Sequence, residues 1–459
     1  MTLTSKFVET CLRVLPQRVG NDAIQGAKRC LIDSLAVAYT GYAERPIDML
    51  RETSTAGQTN GASGVIGYSD RARATDAALV NGTMISLQLF DDNMVEMRGH
   101  PSAPLWPAIL ALGEQENITL NDALRYFVIG YEVECRLGVL LNPSHYEMGW
   151  HATATQGTIA ATIAASLILH LNETQTAYAL GIVASMASGT RRNFGSMTMS
   201  LHSGQAASNG VRAALLAQKG FTSDPAIFDG ERSFGALFSR EWSDEVMMQS
   251  LPAWGEPFMI VSPGATFKLF PCGRPTLFGV DAAMALQTKH GVKAADVKRI
   301  VCDCSYMFQR TVVHARPHNG FQAKTSMEYC IAASLLDGRP TLASFSDPAV
   351  KRQEISDLLE RIFLHVPPEL SEDVPAVRKA PFDQPVTLTI ETHDGKTFSE
   401  VVRQHKGMPG NPITDADLHQ KFVDCAEPHL DKARIQTILN YIERAEGNMS
   451  GLAALLPIG

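Results

Sequence analysis

The chain has 459 residues, 45% hydrophobic and 19% charged, with 40 basic against 48 acidic side chains and a formal net charge of −8. That length suits two or three domains with sizeable cores, and the composition excludes a disordered or fibrous chain. No apolar run reaches the ~18 residues of a membrane span, and no basic run is long enough to follow a phosphate backbone.

The opening MTLTSKFVETCLRVLP lacks the basic start, apolar block and cleavage site of a secretory signal. The expectation is a cytoplasmic protein without membrane or nucleic-acid partners. Its eight cysteines are scattered without paired spacing, which fits a reducing compartment. Cys302-x-Cys304 places two thiols on one face of a strand, but no partner with zinc spacing accompanies it. These cysteines read as small apolar fillers, and no metal is expected.

Up to residue 262 the pattern is helical. Residues 24–42 (IQGAKRCLIDSLAVAYTGY), 76–90 (DAALVNGTMISLQLF), 103–115 (APLWPAILALGEQ) and 157–171 (GTIAATIAASLILHL) carry apolar side chains at three-to-four spacing. Several are rich in Ala, Gly, Ser and Thr, which predicts close packing and burial on all sides. Asn121 reads as the cap of the helix that follows it. The glycine-rich stretch Gly61-Ala62-Ser63-Gly64-Val65-Ile66-Gly67 has the wrong spacing for a dinucleotide loop.

The texture changes after Pro263-Gly264. Residues 298–304 (KRIVCDC) alternate as a strand, and residues 385–392 and 397–404 flank His393-Asp394-Gly395-Lys396, a strong hairpin signal. Two helical patterns, 323–336 and 348–363, lie between them. From Asp415 the pattern is helical again. The expected architecture is mainly α with a smaller α+β domain: a helical bundle of residues 1–262, an inserted α+β lid of 263–408, and a helical return of 409–459. GMPGNP (407–412) marks the crossing.

Five polar clusters interrupt this apolar background. In Phe90-Asp91-Asp92-Asn93 and Met97-Arg98-Gly99-His100-Pro101-Ser102, two carboxylates are followed within ten residues by an arginine and a histidine. Ser102 suits a helix cap with Pro104 in the first turn, where amide groups would hold an anion beside His100. A solvated interhelical loop is the plain alternative. His151, in Gly149-Trp150-His151-Ala152-Thr153, stands before the small-residue helix as a base, a cap or a core hydrogen-bonder. Met199, His202 and Ser203 lie in the block 193–204 at another helix start. Lys268, in Phe267-Lys268-Leu269-Phe270, is an anion clamp at the domain junction or a snorkelling side chain. Tyr329 closes AKTSMEY (323–329) and reads equally as a structural tyrosine.

With NGT (81–83), FDD (90–92), GHPSAP (99–104), GWHAT (149–153), the 193–204 block, FKLFPCG (267–273), Tyr329 and GNP (410–412) in this order, the chain resembles the MmgE/PrpD family. That group contains 2-methylcitrate dehydratases, cis-aconitate decarboxylases and an iminodisuccinate epimerase. The resemblance implies the bundle-and-lid fold, a homodimer, a small carboxylate substrate and no cofactor. It implies His151 and His100 as base and acid, Tyr329 as an alternative proton donor, and Asp91 or Asp92 orienting a histidine. Arg98, Lys268, His202 and Ser102 then bind substrate, with Met199 facing it.

Several positions depart from the family pattern. Leu89 stands where an aspartate is common, Ser86 and Leu277 where histidines are, Met199 where a substrate-facing lysine is, and Gly273 where the decarboxylases carry a histidine. The expectation is therefore a dehydratase-like lyase acting on a substrate with fewer charges, with decarboxylation disfavoured. An epimerase, or a non-catalytic binding relative, is the alternative.

Overall fold

Short side chains decide how the helices of this protein meet. The computed structural model describes residues 2–54 and 61–458. Helix makes up 59% and strand 8%, so the molecule is mainly α with a smaller α+β portion. The principal helices of the first part are α1 (Asn21–Gly41), α2 (Ala74–Ser86), α3 (Ser102–Gln115), α4 (Leu120–Leu141), α5 (Ala152–Ile168), α6 (Glu173–Ala184) and α7 (Met197–Gln218). Nearly every residue of α5 is buried. Its hydroxyls are satisfied within the helix, Thr158, Thr162 and Ser166 each donating to the carbonyl four residues earlier at 2.6–2.8 Å. Helix α7 packs against both α2 and α5. At these crossings the backbones touch: a Cβ on Gly82 would lie 2.7 Å from Gly204 Cα, and one on Gly210 2.6 Å from Ala161 Cβ.

The second part contains α8 (Arg274–His290), β1 (Val297–Asp303), α9 (Met327–Asp337), β2 (Ile362–His365), β3 (Val386–Thr392) and β4 (Thr397–Val402). Its sheet runs β2-β1-β3-β4, with β1 parallel to β2 and antiparallel to β3, and β3–β4 forming the hairpin. Helix α8 packs on β3, β4 and α9. The chain then returns through α10 (Asp415–Ala426) and α11 (Lys432–Arg444), of which α10 lies against α1. One hydrophobic core gathers buried side chains from Leu3 to Phe267 and from Ile413 to Leu456; a second gathers Phe270 to Met408 together with Tyr146.

Four local expectations need correction. The 76–90 helix stops at Ser86, and Leu89 adopts a left-handed φ of +52°. Thr119, not Asn121, caps α4, its side chain accepting from Asp122 N. Ser102 is the first residue of α3 and fully buried, and Pro101 before it supplies no side-chain cap. The 348–363 pattern breaks into short helices Asp347–Val350 and Gln353–Leu359 and then strand β2, because Ile362 and Phe363 pair with Ile300 and Val301. In the glycine-rich stretch, Ser63–Gly64 pairs with Arg71–Ala72 as a two-residue ladder.

Candidate active site

Two buried lysines shape the segment that follows α2. The Leu89 carbonyl accepts from Lys268 Nζ at 2.9 Å, and the Phe90 carbonyl from Lys421 Nζ at 2.7 Å. Lys421 also pairs with Asp33 at 2.6 Å, whose other oxygen accepts from Asp92 N at 3.0 Å. Buried charges persist only when paired and hydrogen-bonded, and here the pairing fixes the backbone that carries both aspartates.

The two carboxylates then diverge. Asp91, fully buried, places Oδ2 3.1 Å from His100 Nδ1 and Oδ1 3.7 Å from Lys268 Nζ. Burial pushes its pKa up, but His100 and Lys268 outweigh burial and hold it at about 2. Asp92 points away, toward the Cys30 thiol at 4.0 Å. Burial, reinforced by Asp33, raises its pKa well above the usual carboxylate value. Its contribution to His100 is its backbone carbonyl, which accepts from Nδ1 at 2.9 Å. His100 is thereby left with Nε2 as the nitrogen it can offer a ligand.

His151 stands at the N-cap of α5, where its amide donates to the Gly189 carbonyl at 3.0 Å. Its Nδ1 lies 3.0 Å from His202 Nδ1, and its ring meets Phe194 edge-on at 5.1 Å. Burial lowers its pKa well below the usual histidine value, and the neighbouring His202, His100 and Arg191 add to that. A neutral imidazole with Nδ1 engaged is a base through Nε2.

These groups meet at a cleft between the two cores. Leu89, Arg98, His100, His151 and Met199 line it from the helical side; Lys268, Gly273, Arg274, Val312 and Phe382 line it from the other. Lys268 Nζ is fully buried, and burial lowers its pKa against the opposing pull of Asp91. Arg98 sits on a tight loop closed by Met94 N to Gly99 O at 3.0 Å and takes a left-handed φ of +59°. Such a conformation costs a non-glycine residue ~1–3 kcal/mol. Its guanidinium lies 5.7 Å from the rings of both Tyr146 and Phe382, and Nη1 is buried without a hydrogen-bond partner among the described residues. Lys268 faces Asp91 and Arg274 faces Asp383 at 3.9 Å, whereas Arg98 makes no ion pair among the described residues.

The structure thus brings His100, His151, Arg98, Lys268 and Met199 to one cavity and puts Asp91 directly beneath it. Asp92, Ser102, His202 and Tyr329 stand apart from its lining. Tyr329 is fully buried in the second core, where its hydroxyl donates to the Ser344 carbonyl and burial raises its pKa. The reason is helical phase: Met327 and Ile331 turn toward Gly279 of α8, which sends Tyr329 to the other side of α9, against Phe345. His202 lies in the second turn of α7, against His151 but outside the cavity lining. Of the off-pattern positions, Ser86, Leu89, Met199 and Gly273 line the cleft, while Leu277 is buried in α8.

Sequence reasoning missed Tyr146, Phe194, Arg274 and Phe382, which complete the walls. Arg274 followed the FKLFPCG motif directly and was within reach of it; Phe382 sits in an irregular stretch with no signal at all. Lys421 was detectable as a lysine at i+3 from Leu418 and beside Phe422, on the apolar face of α10. Among the described residues no three His, Cys, Asp or Glu side chains group as metal ligands, and no helix is long and apolar enough to cross a membrane.

Comparison with known proteins matches both halves of this architecture. Residues 5–246 match the MmgE/PrpD N-terminal domain and residues 270–445 the MmgE/PrpD C-terminal domain. A protein of Mus musculus named cis-aconitate decarboxylase is 29% identical over 439 residues, covering 92% of this chain and 86% of that one. Its Homo sapiens counterpart is 29% identical over 457 residues, covering 97% and 92%. The 2-methylcitrate dehydratase of Salmonella typhimurium is 25% identical over 413 residues, covering 83% and 81%. These relatives are enzymes, and the chain belongs to the MmgE/PrpD family.

Proposed function

We propose that this protein is a lyase that removes a proton α to a carboxylate of a small di- or tricarboxylate and expels water, using side chains alone. The observation that carries this reading is the pair of imidazoles on one cleft, each with Nδ1 engaged and Nε2 left for substrate. His151 Nε2 takes the α proton. The electrons of that C–H bond form the new C=C bond as the β C–O bond breaks, and His100, acting as an imidazolium whose Nδ1–H stays on the Asp92 carbonyl, gives its Nε2 proton to the departing hydroxyl, which leaves as water. Negative charge that builds on the adjacent carboxylate is met by Arg98, the one lining cation without an ion-pair partner among the described residues. Such fixed charge in a water-poor site is commonly the largest part of a rate enhancement. Asp91, held ionised, keeps the His100 ring in place.

A second reading, loss of carbon dioxide instead of water, is favoured by the mouse and human relatives named cis-aconitate decarboxylase. Against it stands the apolar stretch of the wall at Met199 and Gly273. Mass spectrometry of products from a panel of small hydroxylated and unsaturated di- and tricarboxylates tests both. Loss of water with appearance of conjugated ultraviolet absorbance supports the lead reading. Loss of carbon dioxide replaces it with the second, deuterium uptake without mass loss replaces it with an epimerase, and no conversion of any member favours a binding protein.

A further inference from the structure

His202 is not part of the cleft lining, yet its Nδ1 lies 3.0 Å from Nδ1 of the proposed base. We propose that His151 and His202 act as one protonic unit: His202 sets the tautomer of His151 and carries the positive charge when His151 accepts a proton from the cleft. This rests on the lyase reading above for its chemistry, though not for its geometry.

Two Nδ1 atoms 3.0 Å apart share a single proton, since one must donate and the other accept. Their tautomers are therefore linked. With the shared proton on His151, the Nε2 of His151 is a lone pair facing the cleft and His202 is protonated at its own Nε2. When the substrate proton binds His151 Nε2, the Nδ1 proton passes to His202 Nδ1. His151 ends neutral with Nε2–H, and His202 becomes the imidazolium. Release of the His202 Nε2 proton to solvent completes the transfer. The unit resets when His151 returns its Nε2 proton to water in the emptied cleft, the shared proton moves back, and His202 regains a proton at Nε2.

Burial and surroundings both favour that division of labour. His151 is 5% exposed whereas His202 is half-buried, so charge on the outer ring costs less desolvation. The charged or titratable groups facing the pair are His100, Arg191 and Asp91, all on the His151 side. Moving the proton outward takes it away from the Arg191 guanidinium, against a weaker opposing pull from Asp91. His202 itself is bordered by the Gly189 backbone, where a Cβ would lie 3.5 Å from Nδ1.

The test is nitrogen NMR of the full chain labelled with ¹⁵N-histidine, titrated with acid, for the native protein and His202→Asn. We expect His202 to reach imidazolium shifts first while His151 stays neutral, and His151 to lose its linked tautomer in His202→Asn. Protonation of His151 ahead of His202, or unchanged His151 shifts in a folded His202→Asn, overturns the proposal. A kinetic arm adds the chemistry. On the panel of small hydroxylated di- and tricarboxylates, His202→Asn should lower kcat about tenfold or more, within the range of a lost acid–base partner, while KM changes little. An unchanged kcat overturns the relay. Absence of turnover on any carboxylate, with the NMR linkage intact, overturns the lyase reading and leaves the protonic unit standing.

Discussion

Met199 and Arg98 face one cleft with opposite demands on a ligand. Met199, 4% exposed, offers a polarizable apolar surface where a lysine is familiar in the family, while Arg98 offers a desolvated guanidinium in search of an anion. One carboxylate of the substrate is therefore expected at Arg98 and an uncharged part at Met199. Met199→Lys should shift preference toward substrates with a further carboxylate, read as kcat/KM across a charge series. A native preference for tricarboxylates that this change leaves alone contradicts it. Arg98→Met should lower kcat/KM by about 10²–10³-fold, the scale of one lost preorganised donor. Arg98→Lys should recover only part, because an ammonium cannot stack on Tyr146 and Phe382 as a planar guanidinium does. Equal activity of the three forms would remove Arg98 from the site.

At the scale of elements, the sequence was most legible where local pattern and tertiary demand agree. Helix α5 was visible from its small residues and the β3–β4 hairpin from its turn. The residues around Leu89 were not, because apolar periodicity continues to Phe90 while the backbone is drawn out of the helix by Lys268 and Lys421, 179 and 331 positions away. Partners so distant leave no mark on a local window. The same limit hid Tyr329's inward orientation and Phe382's place on the cleft wall. His100, His151 and Lys268 were readable because short motifs carry them; the role of Asp92's carbonyl was not, since a backbone atom has no residue-type signature.

Helices α4 and α5 also enclose Glu134, whose two carboxyl oxygens have no hydrogen-bond partner among the described residues. Burial raises its pKa well above the usual value, with Asp92 adding to the effect. A carboxyl raised in the fold contributes stability that is present at acid pH and lost as pH rises from the unfolded value of about 4.3 toward the folded one. Glu134→Gln keeps the shape and removes the titration. The variant should unfold at a higher temperature than the native protein at pH 8, each unit of upward shift being worth ~1.4 kcal/mol. That gap should close as pH falls toward 4. A gap that is absent at pH 8, or widens in acid, contradicts the assignment.

Across the whole molecule, the two cores meet where the chain crosses between them twice. Phe267 N donates to the Gly407 carbonyl at 3.0 Å, and Thr266 pairs with Asn93 on the loop that carries the aspartates. Lys268 follows at once, so the segment joining the cores also delivers the cation that holds Asp91. Placement of the second part on the first is thereby tied to the arrangement of the cleft, and a ligand filling the cleft contacts both. Lyase chemistry at this cleft requires that one small carboxylate reach both imidazoles. A crystal structure of the protein with a bound di- or tricarboxylate measures this directly. The expected result is a ligand between His100 Nε2 and His151 Nε2, within hydrogen-bond reach of each, with one carboxylate on Arg98. A ligand seated elsewhere, or one that touches neither imidazole, would contradict it.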